Sequence, residues 1–514
     1  MLSCSFNYMK KLSKFLVASQ FLCCYPTACA NKLDLRGNDM VNFNENGNED
    51  KEKNKIDELK EKFCYSAKNV YIKLNDDEFS CCQKFSEEYK EFLRKSKTER
   101  ECVDYFVSEA KIKGFQEFDS EKAYNPGDKV FKINRDKSVA FAVIGKDGSK
   151  NGFNIVASHI DSPRLDLKPH SIYEDSEQSL MKTNYYGGIK KYQWTAIPLS
   201  LHGVIMKQDG SKVTVSIGDN DDEPCFYISD LLPHLAHDQM SQTMRKAISG
   251  ESLNVLIGSL PFKSDKGSDL VKLNILNLLN EKYGITEKDL LFAELELVPA
   301  TNPRDIGFDR SLVGAYGQDD RSCAFAAFKG IMDIDIPDST SVVVLADKEE
   351  IGSDGNTGMQ SMFFRYFLAD LAAQDGMKTR HVLAKSKALS ADVDAAFDPN
   401  YASSFDSSNS SFLNRGVVIT KYTGSGGKYC ASDASAEFLN YIRRIFDKSN
   451  VNYQFGLLGK VDEGGGGTVA KYVANLGIDV VDVGIPILSM HSPFEVSSKI
   501  DLYEMYKASK SFLK

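Results

Sequence analysis

Two histidines and a set of carboxylates occupy the same kind of place in this sequence: each comes directly after a run that reads as a buried strand. His159 and Asp161 follow Phe153 to Ala157, and Glu349 and Glu350 follow Val342 to Ala346. Asp392 ends the run Ala388 to Ala391, and His491 comes after a strand ending near Leu488. Asp320 stands before a helical stretch starting at Arg321, a junction of similar type. In an open α/β sheet the loops at the carboxyl ends of the strands line one crevice, so these side chains can converge. Clustered carboxylates repel and raise each other's pKa, and cations relieve that conflict. A mixed His and carboxylate set without cysteine suits zinc, with manganese or cobalt as alternatives. There are enough ligands for two divalent ions per subunit sharing one carboxylate, an arrangement that clamps a bridging hydroxide between ions about 3.5–4 Å apart.

Each residue alone has a plainer reading. A histidine at a strand end is ordinarily a hydrogen-bonded structural residue, and Asp347 to Glu350 read alone is a solvated turn. The joint placement is what points to a metal centre. His170, His202 and His381 lack it and are expected to be structural or at the surface. The run Gly464 to Gly467 before Thr468 lacks the Lys-Ser/Thr pair of a phosphate-binding loop, and Gly426-Gly427-Lys428 fails the same test. Gly466 and Thr468 are therefore expected where a peptide substrate approaches the backbone closely. No G-x-S-x-G elbow is present, which removes the usual serine-hydrolase reading.

The elements that must position these groups form three blocks in the 514-residue chain. Residues 55–163 begin with helical spacing (Glu87 to Lys95, Thr98 to Lys113) and end in the strand before His159. Residues 164–300 change to short strand-like runs, among them Leu199 to Met206, Lys212 to Ile217, Leu253 to Leu256 and Leu291 to Leu297, with one helix near Ile228 to Ile248. Residues 301–514 return to alternating strands and helices. The pattern predicts an α/β fold, a mostly parallel sheet with helices on both faces, carrying an inserted β-rich domain.

Sixty-three Lys+Arg against 72 Asp+Glu give a net charge of −9, which argues against nucleic acid as a partner. Residues 1–54 are set apart from the fold. Met9-Lys10-Lys11, the apolar run Phe15 to Tyr25 and Ala28-Cys29-Ala30 resemble a secretory signal, although Ser19 and Gln20 interrupt the apolar run, which is too short to span a membrane. Asn31 to Asn54 read as a polar linker.

The blocks Ser158-His159-Ile160-Asp161-Ser162-Pro163, Gly317-Gln318-Asp319-Asp320-Arg321, Asp347 to Ser353, Ser390-Ala391-Asp392 with Pro399-Asn400-Tyr401, and Met490-His491-Ser492 resemble those of the aspartyl aminopeptidase family of dinuclear zinc peptidases, over roughly residues 80 to 514. The resemblance implies removal of N-terminal residues from peptides with a free amino terminus. One ion would be held by His159 and Asp392, the other by Glu350 and His491, and Asp320 would bridge them. Asp161 would orient the His159 side and Glu349 would be the general base.

The resemblance also implies that the inserted domain dimerises, that dimers build a dodecamer, and that the protein is cytoplasmic, against which the signal-like N-terminus stands. Leu232 to His237 resembles the family segment whose histidine reaches a neighbouring subunit, assigned to His234; by spacing alone it is an exposed pair at a helix start. A preference for N-terminal Asp or Glu needs a cation, for which Lys421 is nearest and Lys428 a substitute, but the glycine-rich loop Tyr422 to Lys428 departs from the family pattern. A dinuclear deacylase and a non-catalytic assembly protein on the same fold are the alternatives.

Overall fold

The computed structural model describes residues 49–514 except Asp265, with side chains from Lys55 onward. The signal-like segment and most of the polar linker lie outside the described residues. The described residues divide into two units, one ending at Ser66 and the other spanning Ala67–Lys514. Within the first, Glu49–Phe63 is a helix that starts inside the stretch expected to be linker; its Glu and Lys residues are good helix formers.

The second unit is built on a nine-stranded sheet. Its central strands run in the order Ser341–Ala346, Asn154–His159, Lys387–Ser390 and Asp479–Gly484, and all pair in parallel. Antiparallel neighbours flank them on both sides, Ser138–Val143 against Ser341–Ala346 and Val417–Thr420 against Asp479–Gly484. Strands covered on both faces read as continuous apolar runs, and here the two faces sort by alternate residues. Val156, Val343, Leu345, Leu389 and Val481 face one core, with helices Asp76–Lys95, Glu99–Ile112, Gln318–Met332 and Lys499–Leu513. Ile155, Ala157, Val342, Val344 and Ala388 face the other, with helix Met362–Gln374. Capping boxes at Asn75 with Glu78 and at Thr98 with Glu101 start the first two helices.

Residues 164–299 form a seven-stranded antiparallel sheet of their own. Because Ala293–Pro299 pairs with both Arg164–Asp175 and Pro198–Met206, the pairings close into a barrel-like ring filled by Trp194, Leu165, Leu199 and Leu297. The ring and the main sheet belong to one compact unit, so the boundary near residue 163 marks a change of sheet rather than a break between compact bodies. The helix expected near Ile228 to Ile248 is broken into Pro233–Leu235, His237–Met240 and Met244–Ala247. Of this stretch's apolar residues only Ile228, Ala236 and Ile248 are buried, too few to hold one continuous helix against a core. A helix at Leu270–Tyr283 occurs instead.

A five-stranded sheet, Arg304–Ile306, Leu312–Ala315, Glu495–Ser498, Pro486–Leu488 and Asp394–Ala395, sits at the ends of the central strands. It carries the turn that holds His491. No helix among the described residues is long and apolar enough to cross a membrane.

Candidate metal centre

The convergence expected from the strand ends occurs. His159 is the last residue of Asn154–His159, Asp392 lies just past Lys387–Ser390, and Glu349 and Glu350 open a short 3-10 turn after Ser341–Ala346. His491 sits in the turn between Pro486–Leu488 and Glu495–Ser498. Ligand atoms of His159, Asp319 and Glu350 lie within 4.8 Å of one another, as do those of His159, Asp320 and Asp392.

The carboxylate between the two imidazoles is Asp319, not Asp320. One Asp319 oxygen is 3.2 Å from His159 Nε2 and the other is 3.2 Å from His491 Nε2. Asp320 turns back to accept a hydrogen bond from Ser158 Oγ and leaves its Oδ1 without a partner. Asp319 (φ −81°, ψ 110°) and Asp320 (φ −111°, ψ 27°) depart from helical torsions at the head of Gln318–Met332, and their carboxylates meet different partners. Two adjacent aspartates give no sequence rule for choosing between them.

The remaining spacings suit coordination. Two ligand atoms on one tetrahedral zinc, each about 2.0–2.1 Å from it, lie about 3.3 Å apart. His491 Nε2 is 3.4 Å from Glu350 Oε2, and His159 Nε2 is 3.8 Å from Asp392 Oδ1. Glu350 Oε1 is buried with no hydrogen-bond partner, as a ligand oxygen awaiting a cation would be. Glu349 belongs to neither ligand group and keeps its Oε2 4.0 Å from His159 Nε2.

Supporting residues fix these side chains. His159 Nδ1 is 3.0 Å from the Asp161 carbonyl and 3.2 Å from its carboxylate. That carboxylate also accepts from the backbone N–H groups of Glu349 (3.1 Å) and Glu350 (3.2 Å). Glu495, which sequence reasoning passed over, accepts from the backbone N–H groups of Gln318, Asp319 and His491 and so ties the Asp319 loop to the His491 turn. The only hint of it in the sequence is its place four residues after His491.

The cavity beside this cluster has a volume of about 580 Å³ and includes Lys428, Gly466 and Thr468 in its wall. Strand Gly424–Ser425 pairs there with Gly465–Gly466, and a Cβ on Gly465 would collide with the Gly424 carbonyl. The glycine run therefore serves loop-to-loop packing at the cavity wall. Thr468 Oγ1 donates to Asp482 Oδ1 at 2.6 Å. Lys421 is exposed and absent from the cavity wall, because it follows Thr420 on an extended segment whose alternate residues, Thr420 and Tyr422, face inward. Lys428 is paired with Asp433 at 2.9 Å and lies 3.9 Å from the Tyr422 ring. His234 is exposed on Pro233–Leu235 and does not join the cluster in this chain.

The electrostatics are those of a site suited to cations. Burial raises Glu349 to about 7 and Asp320 to about 8, and it pushes Glu350 and Asp392 well above the carboxylate range. Burial opposes charge on the imidazoles, but Asp161 and Asp319 hold His159 protonated, and Asp319 with Glu350 lifts His491 to about 10. Ligation requires the reverse: neutral imidazoles and ionised carboxylates. Metal binding should therefore expel protons, and affinity should rise with pH through the neutral range. Titration calorimetry of zinc into chelator-stripped protein, in buffers of different ionisation enthalpy, should register net proton release; a buffer-independent heat would contradict this account.

The comparisons agree with this geometry. The family described as aminopeptidase I zinc metalloprotease (M18) matches residues 92–513. The probable M18 family aminopeptidase 1 of Borrelia garinii is 49% identical over 456 residues, covering 87% of this chain and 99% of its own. The crystal structure of an M18 aminopeptidase from Thermotoga maritima superposes with a TM-score of 0.84 at 43% identity, covering 88% of this chain and 99% of that one. A structure of the mApe1 dodecamer of S. cerevisiae shares the fold at a TM-score of 0.68 and 20% identity, over 83% of this chain and 95% of that one. A histidine–carboxylate cluster at the strand ends, inside a match that spans most of the sequence, makes this chain a metallo-aminopeptidase belonging to the M18 family of aminopeptidase I zinc metalloproteases.

Proposed function

We propose that the chain removes N-terminal residues from peptides at a centre for two divalent ions, zinc by family, with Asp319 as the shared ligand. His159 and Asp392 would complete one ion's protein ligands, and Glu350 and His491 the other's. The observation that carries this reading is the Asp319 carboxylate, whose two oxygens each lie 3.2 Å from a different imidazole. When bound, such ions act as Lewis acids and lower the pKa of water from 15.7 toward about 7.

The chain's own groups do the rest. Glu349, raised to about 7 by burial and free of both ligand groups, takes a proton from water and returns it to the leaving amine. Asp161 holds His159 and the Glu349–Glu350 turn in register. The substrate lies along the cavity wall formed by Gly466 and Thr468.

The side-chain pocket favours neutral or basic N-terminal residues over Asp and Glu. Lys421 faces away, and Lys428 is already paired with Asp433. Asp394 and Asp482, both buried, line the cavity and form no ion pair among the described residues, while Lys460 and Lys471 lie elsewhere in the same wall. A substrate carboxylate about 8 Å from one ionised wall group costs about 2 kcal/mol at an effective dielectric of 20, or about thirtyfold in rate.

The barrel-like ring exposes Leu235, Met240, Met244, Leu260 and Phe292. This apolar surface supports dimerisation, and assembly of dimers into a dodecamer like that of the yeast relative, with His234 offered to a neighbouring copy.

Three measurements test the proposal. Glu349→Gln should lower turnover by about 10²–10⁴-fold while keeping two metal equivalents, and Asp319→Asn should lose metal where Asp320→Asn retains it; metal retained by Asp319→Asn would remove the bridging role. In an initial-rate panel run with zinc, manganese and cobalt after chelation, Leu, Ala and Lys substrates should exceed Asp and Glu; the opposite order would refute the pocket assignment. Light scattering should give the mass of a dodecamer, and a monomer in solution would exclude the assembly.

A further inference from the structure

Tyr186 ends the strand Gln178–Tyr186 of the ring and pairs in register with Arg164 at the start of Arg164–Asp175. Its buried hydroxyl donates to Asp161 Oδ2 at 2.8 Å. The Arg164 guanidinium lies 3.9 Å from the centre of the Tyr186 ring and is itself held by Asp166 at 2.9 Å and Glu296 at 3.2 Å. Asp161 faces His159 Nδ1 and the backbone N–H groups of Glu349 and Glu350, so the phenol completes the shell of the carboxylate that orients all three. Two residues further on, the Gly188 carbonyl accepts from His491 Nδ1 at 2.8 Å. Between them Gly187 adopts φ +75°, where a Cβ would sit 3.3 Å from both Glu350 Cβ and Oε2; a Cβ on Gly188 would lie 3.3 Å from His491 Nδ1.

We propose that Tyr186 is a positioning residue for the metal centre, and that the segment Tyr186-Gly187-Gly188 lets the ring orient both imidazoles together. His159 is steadied through Tyr186 and Asp161, and His491 directly through the Gly188 carbonyl. Loss of the phenol hydroxyl leaves Asp161 Oδ2 one hydrogen bond short, with the Glu350 N–H as its remaining donor. The His159 ring and the turn bearing Glu349 and Glu350 are then held less tightly by the carboxylate they share. The ring thus acts on chemistry as well as on assembly. This inference rests on the two-ion reading above.

The test uses full-length protein, wild type beside Tyr186→Phe, Gly187→Ala and Thr183→Val. Thr183 lies in the same strand, and its Oγ1 donates to the Leu253 carbonyl at 2.5 Å, away from Asp161. Tyr186→Phe should weaken zinc retention against a chelator by about 10–100-fold, change the absorption spectrum of the cobalt-substituted protein, and lower kcat with KM held within about twofold. Gly187→Ala should shift affinity and spectrum in the same direction and carries the test should Tyr186→Phe fail to fold. Thr183→Val should leave both at wild-type values. Wild-type affinity and spectrum in Tyr186→Phe, or in Gly187→Ala where only that variant folds, would overturn the proposal. Equal losses in Thr183→Val would overturn it as well, since they would trace to a loosened strand. A wild-type protein that takes up fewer than two ions would instead count against the two-ion reading.

Discussion

The mutual repulsion of buried carboxylates is the constraint on which this molecule turns. Asp319, Glu350 and Asp392 are gathered with two imidazoles in a space where burial makes every charge costly. Burial raises the carboxyl groups, and the carboxylates in turn favour charged imidazoles. Divalent cations relieve the repulsion, since they leave the imidazoles neutral and the carboxylates ionised, the state in which each can ligate. Glu349 stands outside both groups of candidate ligands.

Holding such a cluster requires rigid supports from several directions. The parallel strands supply His159, Asp392 and the Glu349–Glu350 turn from one sheet edge. The five-stranded sheet brings His491, and Glu495 locks that turn to the Asp319 loop through three backbone N–H groups. The ring contributes a third hold through Tyr186 and Gly188. None of these supports is a candidate ligand itself; each restricts rotation of a group that is.

Much of this was legible from residue order. Continuous apolar runs marked the central strands because both of their faces are covered, and histidines and acids placed just after those runs marked the crevice. The Leu270–Tyr283 helix was not legible, since its apolar residues are not confined to one face and only Val271 is fully buried. The stretch from Ile228 to Ile248 carried helical spacing but finds no core along its length, so it breaks into single turns. Lys421 stands near the place where the family resemblance expects a cation, and the alternation of an extended segment turns it outward.

The sequence by itself determined the chemistry available: which residue types stand at strand ends, and that histidines and carboxylates rather than cysteines gather there. These follow from local periodicity and side-chain pKa, properties that each segment carries alone. Only the tertiary structure decided which of two adjacent aspartates spans the imidazoles, that Glu495 and Tyr186 support the site, and that Lys421 does not reach it. Those outcomes depend on backbone torsions and on contacts between segments far apart in the chain, such as Asp161 with Tyr186 and Gln318 with Glu495. Such directions arise only when separate elements pack against each other.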